Sequence, residues 1–169
     1  MEEKIIIAGF GGQGIMFTGK LICQAGMKKG FNVTYLPSYG AEVRGGTAHC
    51  NVVVSDNLIA SPVVEAADTL IMMNEPSLLK FESLLRPEGL VLFNSTLINV
   101  SPRRNDISAV AVPATAIAYQ LGNVKVANMV MLGKYIASKE FLAAEEVKGM
   151  IKGPLSDLNT EAISKGMKA

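Results

Sequence analysis

Glycines stand at Gly9, Gly11 and Gly14, with Gly12 and Gln13 filling the gap before the last. Such a turn gives each glycine a physical task. One makes the tight bend, one lets backbone approach an anion, and one lets a helix pack closely on a strand. Amide N–H groups at the start of the following helix then face a phosphate or a carboxylate. Gln13 adds a side chain that both donates and accepts. A second such stretch runs Ser38-Tyr39-Gly40-Ala41-Glu42-Val43-Arg44-Gly45-Gly46-Thr47-Ala48. There Gly45 and Gly46 allow close backbone approach. Arg44 can clamp an anion or a partner's carboxylate, and Glu42 can orient Arg44 or meet a base on another chain. The bland counterparts are a tight strand–helix corner that binds nothing and a surface Glu–Arg pair of little energetic weight.

The flanking segments say what must hold these loops. Lys4-Ile5-Ile6-Ile7-Ala8 is a short β-branched run, expected as a strand buried on both faces. After the glycines, Thr18, Leu21, Ile22, Ala25 and Gly26 recur at helical spacing, and Lys28-Lys29-Gly30 closes that helix. Asn32–Leu36 is the next expected strand, so the first 36 residues spell a βαβ unit with a parallel sheet implied. In that arrangement the ends of the first two strands lie side by side and both loops edge one crevice. Thr47–Ser55 returns to strand, and Asp56-Asn57 signals a turn from which Leu58-Ile59-Ala60 hairpins back. Thr69–Met73, Leu90–Phe93 and Ile107–Val112 are further strands. Asn74 caps a helix through about Leu85, Ala114–Leu121 and Val124–Ala137 are helices, and two short helices follow around Gly153-Pro154. The expected fold is α/β, a three-layer α/β/α sandwich with a mostly parallel, Rossmann-like sheet. Residues 1–169 read as one domain whose C-terminal helices start near residue 140.

Composition narrows the function. Of 169 residues, 49% are hydrophobic and 18% charged, against about 25% charged in an ordinary soluble domain. With a mean hydropathy of +0.30, part of the surface is expected to be covered by a partner, and a symmetric homodimer is compatible with this. A net charge of +1 argues against a nucleic-acid footprint or a polybasic membrane patch. Two cysteines, Cys23 and Cys50, are too few to ligate an iron–sulfur cluster, and the lone His49 excludes a His-rich metal site, so no metal ligands are assigned. The acidic start Met1-Glu2-Glu3-Lys4 does not read as a secretory signal, and the uncharged run Ile107–Val124 is too interrupted to span a bilayer. The expectation is a cytoplasmic protein with reduced thiols.

An ordinary nicotinamide-dinucleotide site needs a carboxylate at the end of the second strand to hold a ribose. That strand ends Thr34-Tyr35-Leu36-Pro37, and no acidic residue appears before Glu42. A free-standing NAD(P)- or flavin-binding protein therefore stands as the alternative, beside an assembly module with no ligand of its own.

The two loops, together with Asn128-Met129-Val130-Met131-Leu132-Gly133, resemble the gamma subunit or domain of the 2-oxoacid:ferredoxin (acceptor) oxidoreductases. The resemblance runs from about Lys4 through the Val124–Ala137 helix. Arg44-Gly45-Gly46-Thr47-Ala48 is more similar to the 2-oxoglutarate-type than to the pyruvate-type members, and Ala41 replaces a frequent proline. The resemblance implies one share of an enzyme that decarboxylates a 2-oxoacid, hands electrons to iron–sulfur clusters and ferredoxin, and forms an acyl-coenzyme A. Thiamine diphosphate with Mg would sit on alpha and beta partner subunits, and clusters on the beta chain or a ferredoxin-like delta subunit. This chain would hold no catalytic residue. Its own contribution would be docking and a cradle for coenzyme A from Gly9, Gly11, Gly12, Gln13, Gly14, Glu42, Arg44, Gly45 and Gly46.

Other residues have simpler expectations. His49 reads as a satisfied structural histidine, and Cys23 and Cys50 as small buried hydrophobes. Arg103-Arg104 suits a solvated turn, and Met72, Met73, Met129 and Met131 suit core or interface. Asn128 sits in an apolar helix and needs a hydrogen-bond partner, expected to be backbone.

Overall fold

The computed structural model describes residues 1–39 and 47–169. Six strands make one sheet: β1 (Glu2–Phe10), β2 (Asn32–Ser38), β3 (Thr47–Ser55), β4 (Ala67–Met72), β5 (Leu85–Asn94) and β6 (Ser108–Val112). The helices are α1 (Ile15–Lys28), α2 (Glu75–Phe81), α3 (Ala114–Gln120), α4 (Ala127–Ser138), α5 (Ala144–Met150) and α6 (Ser156–Lys168). Short 3-10 turns precede β5 and α4.

Side chains alternate across a strand, so β1 feeds two cores. Ile5 and Ile7 join Ile22, Val52, Met129 and Leu132 on the face covered by α1, α3, α4, α5 and α6. Ile6 and Ala8 join Val53, Leu70, Leu78 and Phe81 on the opposite face, beneath α2. The three-layer sandwich is thus present, with one layer much thinner than the other. Ile5, Ile6 and Ile7 are no more than 1% exposed, and each such side chain contributes roughly 1.5–3 kcal/mol.

The sheet order is β2-β3-β1-β4-β5-β6. β1, β4, β5 and β6 run parallel, while β3 is antiparallel to both β1 and β2. This corrects the expectation that β2 lies beside β1, because β3 is inserted between them. The reason is compositional. Val52-Val53-Val54 of β3 are buried on both faces, whereas Asn32 and Thr34 of β2 tolerate an edge. A strand whose apolar centre is buried on both faces belongs inside a sheet, and one with exposed polar positions belongs at its border.

Two smaller expectations also change. Leu58-Ile59-Ala60 forms no strand, and Leu58 is 90% exposed. The last helix is 13 residues long rather than short. It packs closely against α4. A methyl on Gly133 of α4 would lie 2.9 Å from the carbonyl carbon of Ile163, and one on Gly166 of α6 would lie 2.7 Å from that of Val130. Each helix therefore offers a glycine to the other's backbone. Among the described residues no helix is long and apolar enough to cross a membrane.

Candidate functional site

β1 ends at the first glycine loop, and the loop closes on itself. Gln13 N donates to Phe10 O at 3.2 Å, and Phe10 N donates to Gln13 Oε1 at 2.7 Å. The acceptor of Gln13 is thus spent inside the turn, which leaves its amide N–H groups as the outward chemistry. Gly9 is required by close approach, since a methyl there would come within 2.6 Å of Gln13 Oε1 and 2.8 Å of Met73 Cβ. Gly12 has φ +92 and nothing within 4 Å of a built methyl, so its face is open to a ligand. Gly14 has φ +74 and caps α1 without a side chain of its own. Its carbonyl accepts from Thr18 N at 3.0 Å, which starts the helix.

The loop sits where the sheet changes sides. The helix after β1 lies on one face and the helix after β4 on the other, so a crevice opens between the carboxyl ends of these neighbouring strands. That cleft holds about 230 Å3 and is lined by Gly12, Gln13, Met73, Thr115, Val124 and Lys125, among others. Lys125 is the one charged side chain in the described lining. Its position is built by Asn123, whose Oδ1 accepts from Lys125 N at 3.0 Å and starts the turn that runs into α4. Thr115 is set by the buried Asn94 at the end of β5. Asn94 Nδ2 donates to Thr115 Oγ1 at 2.8 Å, and Thr115 N donates to Asn94 Oδ1 at 3.2 Å. Thr96 Oγ1 accepts from Ala116 N at 3.1 Å and completes the start of α3. Amide donors, a hydroxyl and an ammonium around an open glycine suit an anion such as phosphate. Lys125 and Thr115 escape a sequence reading because more than a hundred residues separate them from the loop they face.

A second cleft of about 300 Å3 lies on the β3 side of the same loop, lined by Phe10, Gly11, Gly14, Met16, Tyr39 and Ala48. Tyr39 is 73% exposed and stands where the second glycine-rich stretch begins. Glu42, Arg44, Gly45 and Gly46 lie outside the described residues. The flanks of that stretch are placed by strand register. Ala8 pairs with His49, which pairs with Ser38, and Phe10 pairs with Thr47. Both ends of the second stretch therefore leave the sheet at the rim that carries Gly9–Gly14. The shared rim holds even though the two parallel strands are not adjacent, because the intervening β3 runs back to it.

The remaining residues sort as follows. Asn128 does find backbone, with Nδ2 donating to Gly14 O at 3.2 Å. Among the described residues the buried Nδ1 of His49 has no hydrogen-bond partner, so the expected satisfied histidine is not found there. Its ring packs tilted against Phe81, centroids 4.8 Å apart, and burial with the nearby Lys80 ammonium lowers its pKa. Cys23 and Cys50 are buried free thiols, pushed up to about 12 by burial. Arg103-Arg104 is less free than a solvated turn. Both backbone N–H groups donate to the buried Glu82, and the Arg104 guanidinium binds Asp106 and the Leu85 carbonyl.

Similarity to known proteins agrees with this frame. Ketoisovalerate oxidoreductase subunit VorA of Methanothermobacter marburgensis is 40% identical over 136 residues, which is 80% of this chain but 28% of that protein. The chain thus spans little more than a quarter of that relative's length. 2-Oxoglutarate synthase subunit KorC of Methanocaldococcus jannaschii is 32% identical over 174 residues, covering 98% of this chain and 92% of the relative. Among solved structures, a 2-oxoglutarate:ferredoxin oxidoreductase from Magnetococcus marinus, with 2-oxoglutarate, coenzyme A and succinyl-CoA bound, superposes with a TM-score of 0.85. It is 23% identical and matches 99% of this chain and 30% of its own, so the likeness is one of fold. The family model for pyruvate ferredoxin/flavodoxin oxidoreductase matches residues 4–169, nearly the whole chain, and the protein belongs to that family.

Proposed function

We propose that this chain is the gamma-type subunit of a 2-oxoacid:ferredoxin oxidoreductase, of the 2-oxoglutarate kind, and that it contributes the coenzyme A side of a shared site. The family membership and the KorC likeness support the subunit role, and they stand against the alternative of a free-standing dinucleotide-binding protein. Partner chains carry thiamine diphosphate, which supplies the decarboxylation chemistry, and the iron–sulfur clusters. This chain's two buried thiols, raised far from thiolate, are not suited to cluster ligation.

The observation that carries the coenzyme A assignment is the open face of Gly12 set against Lys125 across the cleft between β1 and β4. Coenzyme A brings a pyrophosphate and a 3′-phosphate to such donors. Arg44, next to the same rim in sequence, is the second cation of the cradle. The test is calorimetry of the assembled complex with coenzyme A, for the wild-type chain and the Lys125→Ala and Arg44→Ala variants. Loss of one charge-assisted contact should weaken binding by about tenfold or more in each variant. Unchanged affinity in both would remove coenzyme A from this chain and leave a docking role.

A further inference from the structure

Asn128 lies in the first turn of α4, is 5% exposed and opens a run of buried apolar residues, Met129, Val130, Met131 and Leu132. Burying an amide in such company is costly unless its hydrogen bonds are made. Its Nδ2 makes two, to Gly14 O at 3.2 Å and to Thr18 Oγ1 at 3.3 Å. Thr18 Oγ1 in turn donates to Gly14 O at 3.1 Å. The carbonyl of Gly14 is thus gripped by the α1 backbone, by Thr18 and by a side chain from 114 positions away. The fit leaves no slack, because a methyl on Gly14 would stand 2.8 Å from Asn128 Cγ. Asn128 follows Lys125 by three residues, on the turn that carries Lys125 into the cleft. One side chain therefore ties the glycine loop to the start of α4, which follows directly on the turn that carries Lys125.

We infer that Asn128 is a positioning residue: by holding the Gly14 carbonyl it aims the open amide face at Gly12 toward the anion that Lys125 attracts. A leucine here would satisfy the core at lower cost, so packing alone does not account for the amide. The inference rests on the coenzyme A assignment above, and its test separates the two.

Asn128→Asp keeps the shape but places a carboxylate, which accepts and does not donate, against the Gly14 carbonyl. Thr18→Val removes only the secondary grip and guards against a folding failure of the first variant. In the assembled complex, Asn128→Asp should raise KM for coenzyme A by about tenfold while kcat stays within about twofold, and Thr18→Val should shift KM in the same direction by less. In the free full-length chain, hydrogen exchange of the amides from Gly11 to Thr18 should speed up in both variants. Lowering the pH should restore part of the Asn128→Asp loss, because a protonated carboxyl can donate again. Unchanged KM and unchanged exchange in both variants would overturn the positioning role while leaving coenzyme A binding intact. Faster exchange without any change in KM would also overturn it, reducing Asn128 to a structural contact. If Lys125→Ala and Arg44→Ala retain full affinity, the coenzyme A assignment fails first, independently of what Asn128 does to the loop.

Discussion

His49 is the single histidine of the chain, so any stability change between about pH 7 and 5 has one main side-chain source. Its pKa is lowered in the folded state, by burial first and by Lys80 second. The unfolded chain therefore binds this proton more readily than the folded one. Stability is held above the ordinary histidine range and is lost as pH falls through it, levelling off below the folded-state value. Urea melts at pH 7.5, 6.5 and 5.5 should show a falling midpoint, and His49→Gln should flatten that fall; an equally steep fall in the variant would exonerate the histidine. At this scale the sequence was partly legible. The glycines, the need of Asn128 for a backbone partner and the inertness of Cys23 and Cys50 follow from residue type in context. Lys125 does not, because an exposed lysine is common and only the fold brings it opposite Gly12. The aromatic contact of His49 was equally hidden, since Phe81 approaches from a helix 32 positions on.

Among the elements, α4 does the most to define the site. Its first turn carries Asn128, and the preceding turn carries Lys125. Its far end reaches the amino-terminal ends of the central strands β1 and β4, where Lys139 binds Glu3 at 2.9 Å and Thr69 Oγ1 donates to the same carboxylate at 2.7 Å. Along its length Gly133 and Gly166 bring α4 and α6 into backbone contact. Gly133→Ala must push against the main chain of Ile163, which cannot swing aside as a side chain would. A loss of about 3 kcal/mol is expected, the upper part of the overpacking range, and equilibrium unfolding of the full chain measures it. A loss under about 0.5 kcal/mol would mean the helices part easily. The helices and strands themselves were readable from periodicity, and Thr47–Ser55 emerged with its predicted bounds. The placement of that strand was not, because strand order is set by which neighbour buries more surface. The run Leu58-Ile59-Ala60 misled through its apolar residues, which here remain outside any strand.

For the whole molecule, the sheet has a protected centre and two plain borders. β1 and β4 are flanked on both sides, whereas β2 and β6 each have one neighbour. Buried apolar contact and paired backbone together set the cost of local opening. Native-state hydrogen exchange should therefore be slowest for Ile5–Ala8 and Thr69–Met72, and faster for alternate amides of Asn32–Ser38 and Ser108–Val112. Uniform protection across all six strands would contradict the sheet order. The unequal layers follow from the same architecture, with five helices on one face and α2 on the other. The half-buried pair of Glu3 and Lys139 has a consequence for descent. Removing Lys139 leaves the buried Glu3 carboxylate without its cation, the more costly loss, whereas removing Glu3 leaves an ammonium that can turn to water. Across relatives, these two positions should be inherited as a couple, acid with base or grease with grease, though they stand 136 positions apart in the chain.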